Sequence, residues 1–101
     1  MALTIGIKFF CQSMYYVYIL HSAKSKNFYV GYTTNLKSRL SSHNDGKVFS
    51  TKPYVPCVLV YYSAFENSKL AKDFEQYLKS GSGKAFMYKR LVNSVALKKD
   101  K

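Results

Sequence analysis

Two short aromatic runs constrain this chain more than any other feature. YYVYIL at 15–20 is followed, after the polar HSAKSKN, by FYVGYT at 28–33. Aromatic and β-branched residues favour strands. Two such runs across a short polar gap predict an antiparallel hairpin. Alternation sends Tyr16 and Tyr18 to one face and Tyr15 and Val17 to the other. Thr34 or Asn35 then caps a helix that runs to about residue 44, and Gly46 stops it. Residues 46–56 read as a loop holding Thr51, Pro53 and Pro56, and VLVYYSAF at 58–65 is a third strand. Asn67 or Ser68 caps a second helix that extends to about residue 79. GSG at 81–83 breaks it, and a third helix is expected from 84 to about 95. The predicted fold is a small α/β (α+β) sandwich, a three-stranded antiparallel sheet flanked by helices in the order β-β-α-β-α-α. Met14 directly precedes the first strand, so 1–13 is expected to be an N-terminal extension, 14–95 the domain and 96–101 a basic tail.

Charge narrows the partners. Sixteen Lys and Arg against five Asp and Glu leave a formal charge of +11 on 101 residues. Such a field attracts polyanions. Nucleic acid is the leading partner. An anionic membrane surface comes second and needs a basic amphipathic helix, for which only 84–95 is available. No apolar run approaches the roughly 18 residues that span a bilayer. Residues 1–13 lack the basic start and small-residue cleavage site of a secretory signal. Cys11 and Cys57 fit neither a metal spacing nor a disulfide framework, which predicts a reducing, cytoplasmic setting. Cys57 lies in an apolar run and reads as a small core residue.

Polar groups also sit where packing would place apolar ones. Leu36, Arg39, Leu40 and His43 follow the i, i+3, i+4, i+7 spacing of one helix face. Arg39 either leans inward with His43 or carries its head to water from the edge of the stripe. Ala71, Phe74, Glu75 and Leu78 repeat the pattern, and Glu75 stands where Leu would serve packing. It is either a boundary carboxylate paired with Lys72 or Lys79 or a ligand for a divalent cation beside phosphate, where one or two carboxylates suffice. Tyr18, Tyr29, Arg39, His43 and Glu75 converging on one cleft would supply the parts of phosphodiester cleavage. These are a phosphate binder, a base or water-orienting group, and a metal ligand.

These residues resemble a known family. Tyr-Val-Tyr at 16–18 and Tyr-Val-Gly at 29–31 stand where the GIY-YIG nuclease superfamily has Gly-Ile-Tyr and Tyr-Ile-Gly. NLKSRLSSHNDGK, LVYYSAF and AKDFEQYLKSGSGKAF follow in the order of a small stand-alone member, similar to the N-terminal nuclease domain of the excision-repair incision subunit. The resemblance implies an endonuclease acting on DNA with Mg²⁺ or Mn²⁺, in repair or on branched or single-stranded substrates. It makes Glu75 the metal ligand and Tyr18 the residue that activates or positions the attacking water. Tyr29 would help hold water or phosphate, Arg39 would stabilise the phosphate, and His43 would lie near the nucleophile. Tyr18 acting as base needs a cation such as Arg39 to lower its pKa from about 10. Gly31 is expected to permit a close backbone approach. Lys52, Lys84, Lys89 and Arg90 are candidate phosphate contacts. The chain departs from the pattern at Tyr16, which replaces a glycine, and at Phe74, where a basic residue is common. Around 86–88 a polar residue is missing, and Asn93 lies too far along to replace it. The alternative is a nucleic-acid-binding module with this fold and little or no cleavage. No membrane partner is implied, and the oligomeric state is left open.

Overall fold

The two aromatic runs pair as an antiparallel hairpin in the computed structural model, which describes residues 14–48 and 51–92. Strand β1 is Tyr15–Ser22 and β2 is Phe28–Thr33, with Tyr18 opposite Gly31 and Leu20 opposite Tyr29. Strand β3, Cys57–Phe65, pairs antiparallel with the other side of β1, so the sheet order is β2-β1-β3. β1 is therefore central and β2 an edge. The first expected extension, 1–13, the tail at 96–101 and the expected end of the last helix lie outside the described residues.

Alternation along β1 divides the core in two. Val17 and Ile19 join Val30 of β2 on one face and pack on Ala71 and Leu78 of α2, Ser68–Lys79. Tyr18 and Leu20 face the other way, with Tyr29 alongside, against Leu36 and Leu40 of α1, Leu36–Asn44. Helices thus cover both faces of the sheet. Of the two candidate caps at each helix start, the asparagine serves in both. Asn35 Oδ1 accepts from the Ser38 N–H at 3.1 Å, and Asn67 Oδ1 accepts from those of Lys69 and Leu70. Gly46, at φ 74°, lies just beyond α1 in the left-handed region open to glycine. The loop after it contains a 3-10 turn, Lys52–Tyr54. Asn44 ties this loop to the end of α1. Its side chain accepts from the Cys57 N–H at 2.8 Å and donates to the Cys57 carbonyl at 3.1 Å.

The GSG segment corrects the sequence expectation. The break falls at Ser80, and the glycines open the next helix instead of separating two. Ser80 Oγ accepts from the Gly83 N–H at 3.1 Å, and α3 runs Gly81–Phe86 before a π-helical turn, Met87–Leu91. A third helix therefore starts ahead of Lys84 and does not continue as one regular helix. Gly83 is buried, and a Cβ there would overlap the backbone carbonyl of Tyr77. The glycine is present for close helix–helix contact, not for flexibility. Among the described residues no helix is long and apolar enough to cross a membrane.

Gly81 faces open space, which makes it a control for Gly83. Gly83→Ala should lower unfolding free energy by about 1–3 kcal/mol through overpacking. Gly81→Ala should stay within about 0.5 kcal/mol of the parent. Urea denaturation of the two variants measures the difference.

Candidate active site

Tyr18 stands on the central strand with its ring laid across Gly31. A Cβ at position 31 would overlap the Tyr18 Cζ and hydroxyl. The glycine accommodates a side chain rather than the backbone approach expected from the sequence. Beyond it the hydroxyl meets α1. Tyr18 Oη lies 2.8 Å from His43 Nε2, and Arg39 Nε donates to the same oxygen at 3.4 Å. His43 Nδ1 lies 2.7 Å from Thr51 Oγ1. The Tyr29 ring closes the group, 6.5 Å from that of Tyr18 and 5.2 Å from that of His43. Tyr18 and His43 are 0% exposed and Thr51 2%. Of the polar pair on the α1 stripe, His43 goes fully inward. Arg39 reaches in from the half-buried edge.

The directions of these bonds follow from counting protons. Arg39 can only donate, so the Tyr18 oxygen accepts there and its own proton is directed to His43 Nε2. Nδ1 then carries the imidazole proton and donates to Thr51 Oγ1. The Thr51 hydroxyl in turn donates to the Val48 carbonyl, a long contact at 3.5 Å. The opposite tautomer would give Tyr18 a second donor and take the Thr51 proton away from Val48.

Glu75 approaches from α2. Its side chain is 16% exposed and accepts from Lys79 Nζ at 3.0 Å. Lys72 instead lies over the Tyr32 ring, 5.4 Å from its centre. Among the described residues no three His, Cys, Asp or Glu side chains cluster. A cation here would therefore rest on one carboxylate, with water and phosphate oxygens completing its shell. That donor set suits Mg²⁺ or Mn²⁺ and does not suit structural zinc.

Residues 14–89 match the GIY-YIG catalytic domain. The chain belongs to the GIY-YIG family. It is 42% identical over 67 residues to a UPF0213 protein of Clostridium perfringens (strain 13 / Type A), covering 65% of this chain and 71% of that protein. Two UPF0213 proteins of Streptococcus pyogenes, serotypes M5 and M3, are 42% and 40% identical over 65 residues, 63% of this chain and 70% of theirs. The GIY-YIG domain is a nuclease domain, so nucleic acid is the substrate its membership implies.

Two of the departures from the GIY-YIG pattern pack against aromatic neighbours. Tyr16 leans on Tyr62 of β3 at 6.3 Å, on the opposite side of β1 from Gly31 and Tyr29. Phe74 packs on Phe65 at 5.7 Å and serves the core. In the 86–88 region Met87 is buried, while Phe86 and Tyr88 are exposed. Asn93 is outside the described residues. Lys52 is exposed directly after Thr51, and Lys84 lines a cavity beside the cluster. Lys89 and Arg90 are exposed on the π-helical turn and do not line that cavity. Sequence reasoning placed Thr51 only in a loop. The signal available was that a buried histidine needs partners for both ring nitrogens.

Burial dominates the titration of this site. It pushes the Tyr18 phenol above 10.0, and the Arg39 hydrogen bond and charge only partly offset that rise, to which Tyr29 and Glu75 add. The cation that Tyr18 would need as a base is in place, and its hydrogen bond and charge act in the lowering direction, but desolvation outweighs them. Arg39 is held above its ordinary value, foremost by its bond to Tyr18. His43 is pushed below 6.5 by burial and then by Arg39. Unfolding restores His43 to about 6.5, so below that pH the unfolded chain binds more protons. The stability contributed by neutral His43 is complete above 6.5 and is lost as the pH falls through its folded value. The melting temperature should therefore drop on acidification from about pH 7 to about pH 5. His43→Asn should flatten that slope, and NMR titration of the histidine Cε1–H signals should show His43 titrating below 6.5.

Proposed function

We propose that this chain is a divalent-metal-dependent endonuclease that hydrolyses phosphodiester bonds in DNA, with branched or single-stranded DNA as its substrates. The observation that carries the reading is the hydrogen-bonded chain from Tyr18 through His43 to Thr51, with Arg39 on the Tyr18 oxygen. A phenol held above its usual pKa is a poor phenolate at neutral pH. It can still relay a proton. Water attacking phosphorus gives its proton to Tyr18 Oη as the Tyr18 proton passes to His43 Nε2, while the P–O bond to the leaving oxygen breaks and that oxygen takes a proton from solvent. The resulting imidazolium keeps its Nδ1–H on Thr51. His43 is neutral at physiological pH and so is free to accept. Both of the candidate bases then act, Tyr18 at the water and His43 behind it.

Tyr18 is wholly buried, so this chemistry needs Arg39 to move. Arg39 is half-buried on a long side chain and carries the charge that developing phosphoryl oxygens require. A phosphate that draws Arg39 off the phenol uncovers Tyr18 at the same time. Tyr29, beside both rings, would position the phosphate or water. Glu75 would hold Mg²⁺ or Mn²⁺, which when bound supplies further positive charge to the phosphoryl oxygens. Lys79 is half-exposed, so its ammonium can turn to water and release the carboxylate.

A nucleic-acid-binding module with little cleavage is the second reading, favoured by the Lys79 contact on Glu75 and by the sealed Tyr18. The deciding experiment is cleavage of labelled duplex, single-stranded and branched DNA with Mg²⁺, Mn²⁺ or EDTA. Wild type should cut only with metal. Glu75→Gln should lose cutting while binding DNA within a few-fold of wild type. A folded wild type that shifts DNA and cuts none of the three would establish the binding module.

Thr51 is assigned a positioning role, holding the His43 tautomer. Thr51→Val should lower kcat by about tenfold to a hundredfold, toward the lower end of acid–base contributions, with little change in KM. Thr51→Ser should restore most of the rate. Equal kcat in parent and Thr51→Val would remove Thr51 from the relay.

A further inference from the structure

A cavity of about 400 Å³ wraps the free edge of β2 beside the Tyr18–His43 cluster. That is the size of small-molecule sites. Its walls and the cluster share two residues: Tyr29, whose ring lies tilted beside Tyr18 and edge-on to His43, and Thr51, which bonds His43. Lys79, which bonds Glu75, lines the cavity as well. Two further tyrosines line it, and both keep much of their surface in water, Tyr54 at 39% and Tyr88 at 43%. Neither is left loose. The Tyr88 ring is braced edge-on by Phe28, with centres 5.5 Å apart. The Tyr54 carbonyl accepts from Ser22 Oγ at 2.6 Å, which anchors the short turn that carries the ring. Lys84 and the half-exposed Lys79 add positive charge to the same walls.

Exposed rings on an anchored frame, flanked by ammonium groups, are the parts of a base-stacking platform. Aromatic faces take any base, and lysines hold the phosphates on either side. A base inside a duplex is stacked and paired and cannot enter such a pocket without being extruded. We propose that this cavity is a subsite for one unpaired nucleobase of the strand being cut, placed next to the scissile phosphate by the wall it shares with the cluster. The proposal rests on the nuclease reading and specifies its substrate as a strand with unpaired bases. The subsite recognises the base by stacking and is tolerant of sequence.

The test measures binding in EDTA by fluorescence anisotropy, using one labelled oligonucleotide as single-stranded DNA, single-stranded RNA and duplex DNA. A fourth probe keeps the DNA backbone but carries abasic spacers in place of bases. The Tyr54→Leu/Tyr88→Leu double variant should bind the single strand about tenfold more weakly, the scale of one lost base–aromatic stack, and the duplex unchanged. Wild type should lose a similar factor on the abasic probe, and the double variant should lose nothing further on it. Coupling with DNA, RNA or both supports the subsite and shows which strand it accepts. Independent losses from spacer and substitution would overturn it. So would equal losses on single strand and duplex, or a folded wild type that binds none of the probes. Cleavage with Mg²⁺ on the same probes separates the two claims. Cutting with unaltered affinities in the double variant overturns the subsite and leaves the nuclease. Coupling without any metal-dependent cutting overturns the nuclease and leaves the subsite.

Discussion

The Tyr18 ring lying over Gly31 is the contact from which the site and half the core follow. A phenol buried at the centre of a sheet is costly unless its hydroxyl is bonded. With no side chain at position 31, the hydroxyl extends across β2 and needs a partner there. His43 supplies it, which places α1 over this face with Leu36 and Leu40 packed beneath. His43 is buried in turn and hands its second nitrogen to Thr51, which reaches the Val48 carbonyl. The Asn44–Cys57 clamp holds the loop that carries Thr51. One polar chain thus runs from the central strand through a helix to a loop, and the same bonds that satisfy the core orient the groups proposed to react.

The other half of the site comes from the opposite layer. α2 packs its apolar stripe on Val17, Ile19 and Val30, and Glu75 sits at the edge of that stripe, near enough for its charge to act on Tyr18. Glu75 and the Tyr18–His43 pair are thereby supplied by opposite layers of the fold. A net charge of +11 draws the polyanion, while one glutamate marks where a cation would bind it.

Much of this was legible in the residues. Alternating aromatics gave the hairpin and its faces, the pairs Thr34 or Asn35 and Asn67 or Ser68 marked both helix starts, and the 3.6-residue period exposed Arg39, His43 and Glu75 as misplaced polar groups. What was not legible depends on distance in space. GSG reads as a breaker because glycine usually is one, and only the Tyr77 carbonyl against Gly83 shows that packing required it. Thr51 looks like any loop threonine until His43 Nδ1 is placed 2.7 Å away. The direction of the Tyr18 shift was unreadable because burial and Arg39 oppose each other, and their balance is set by the depth of the ring. Lys72 and Lys79 were equal candidates for Glu75 until Tyr32 claimed the first.

The Arg39–Tyr18 contact carries a consequence for discrimination. Under the proposed chemistry a ligand must displace the guanidinium from the phenol before any water can react, so part of its binding energy is spent on opening the site. Strengthening that contact would make the protein bind less tightly and ignore weaker phosphate ligands. Loosening it would raise affinity and leave the phenol open without cargo. Latency and selectivity would then be tuned by one 3.4 Å hydrogen bond inside the site itself.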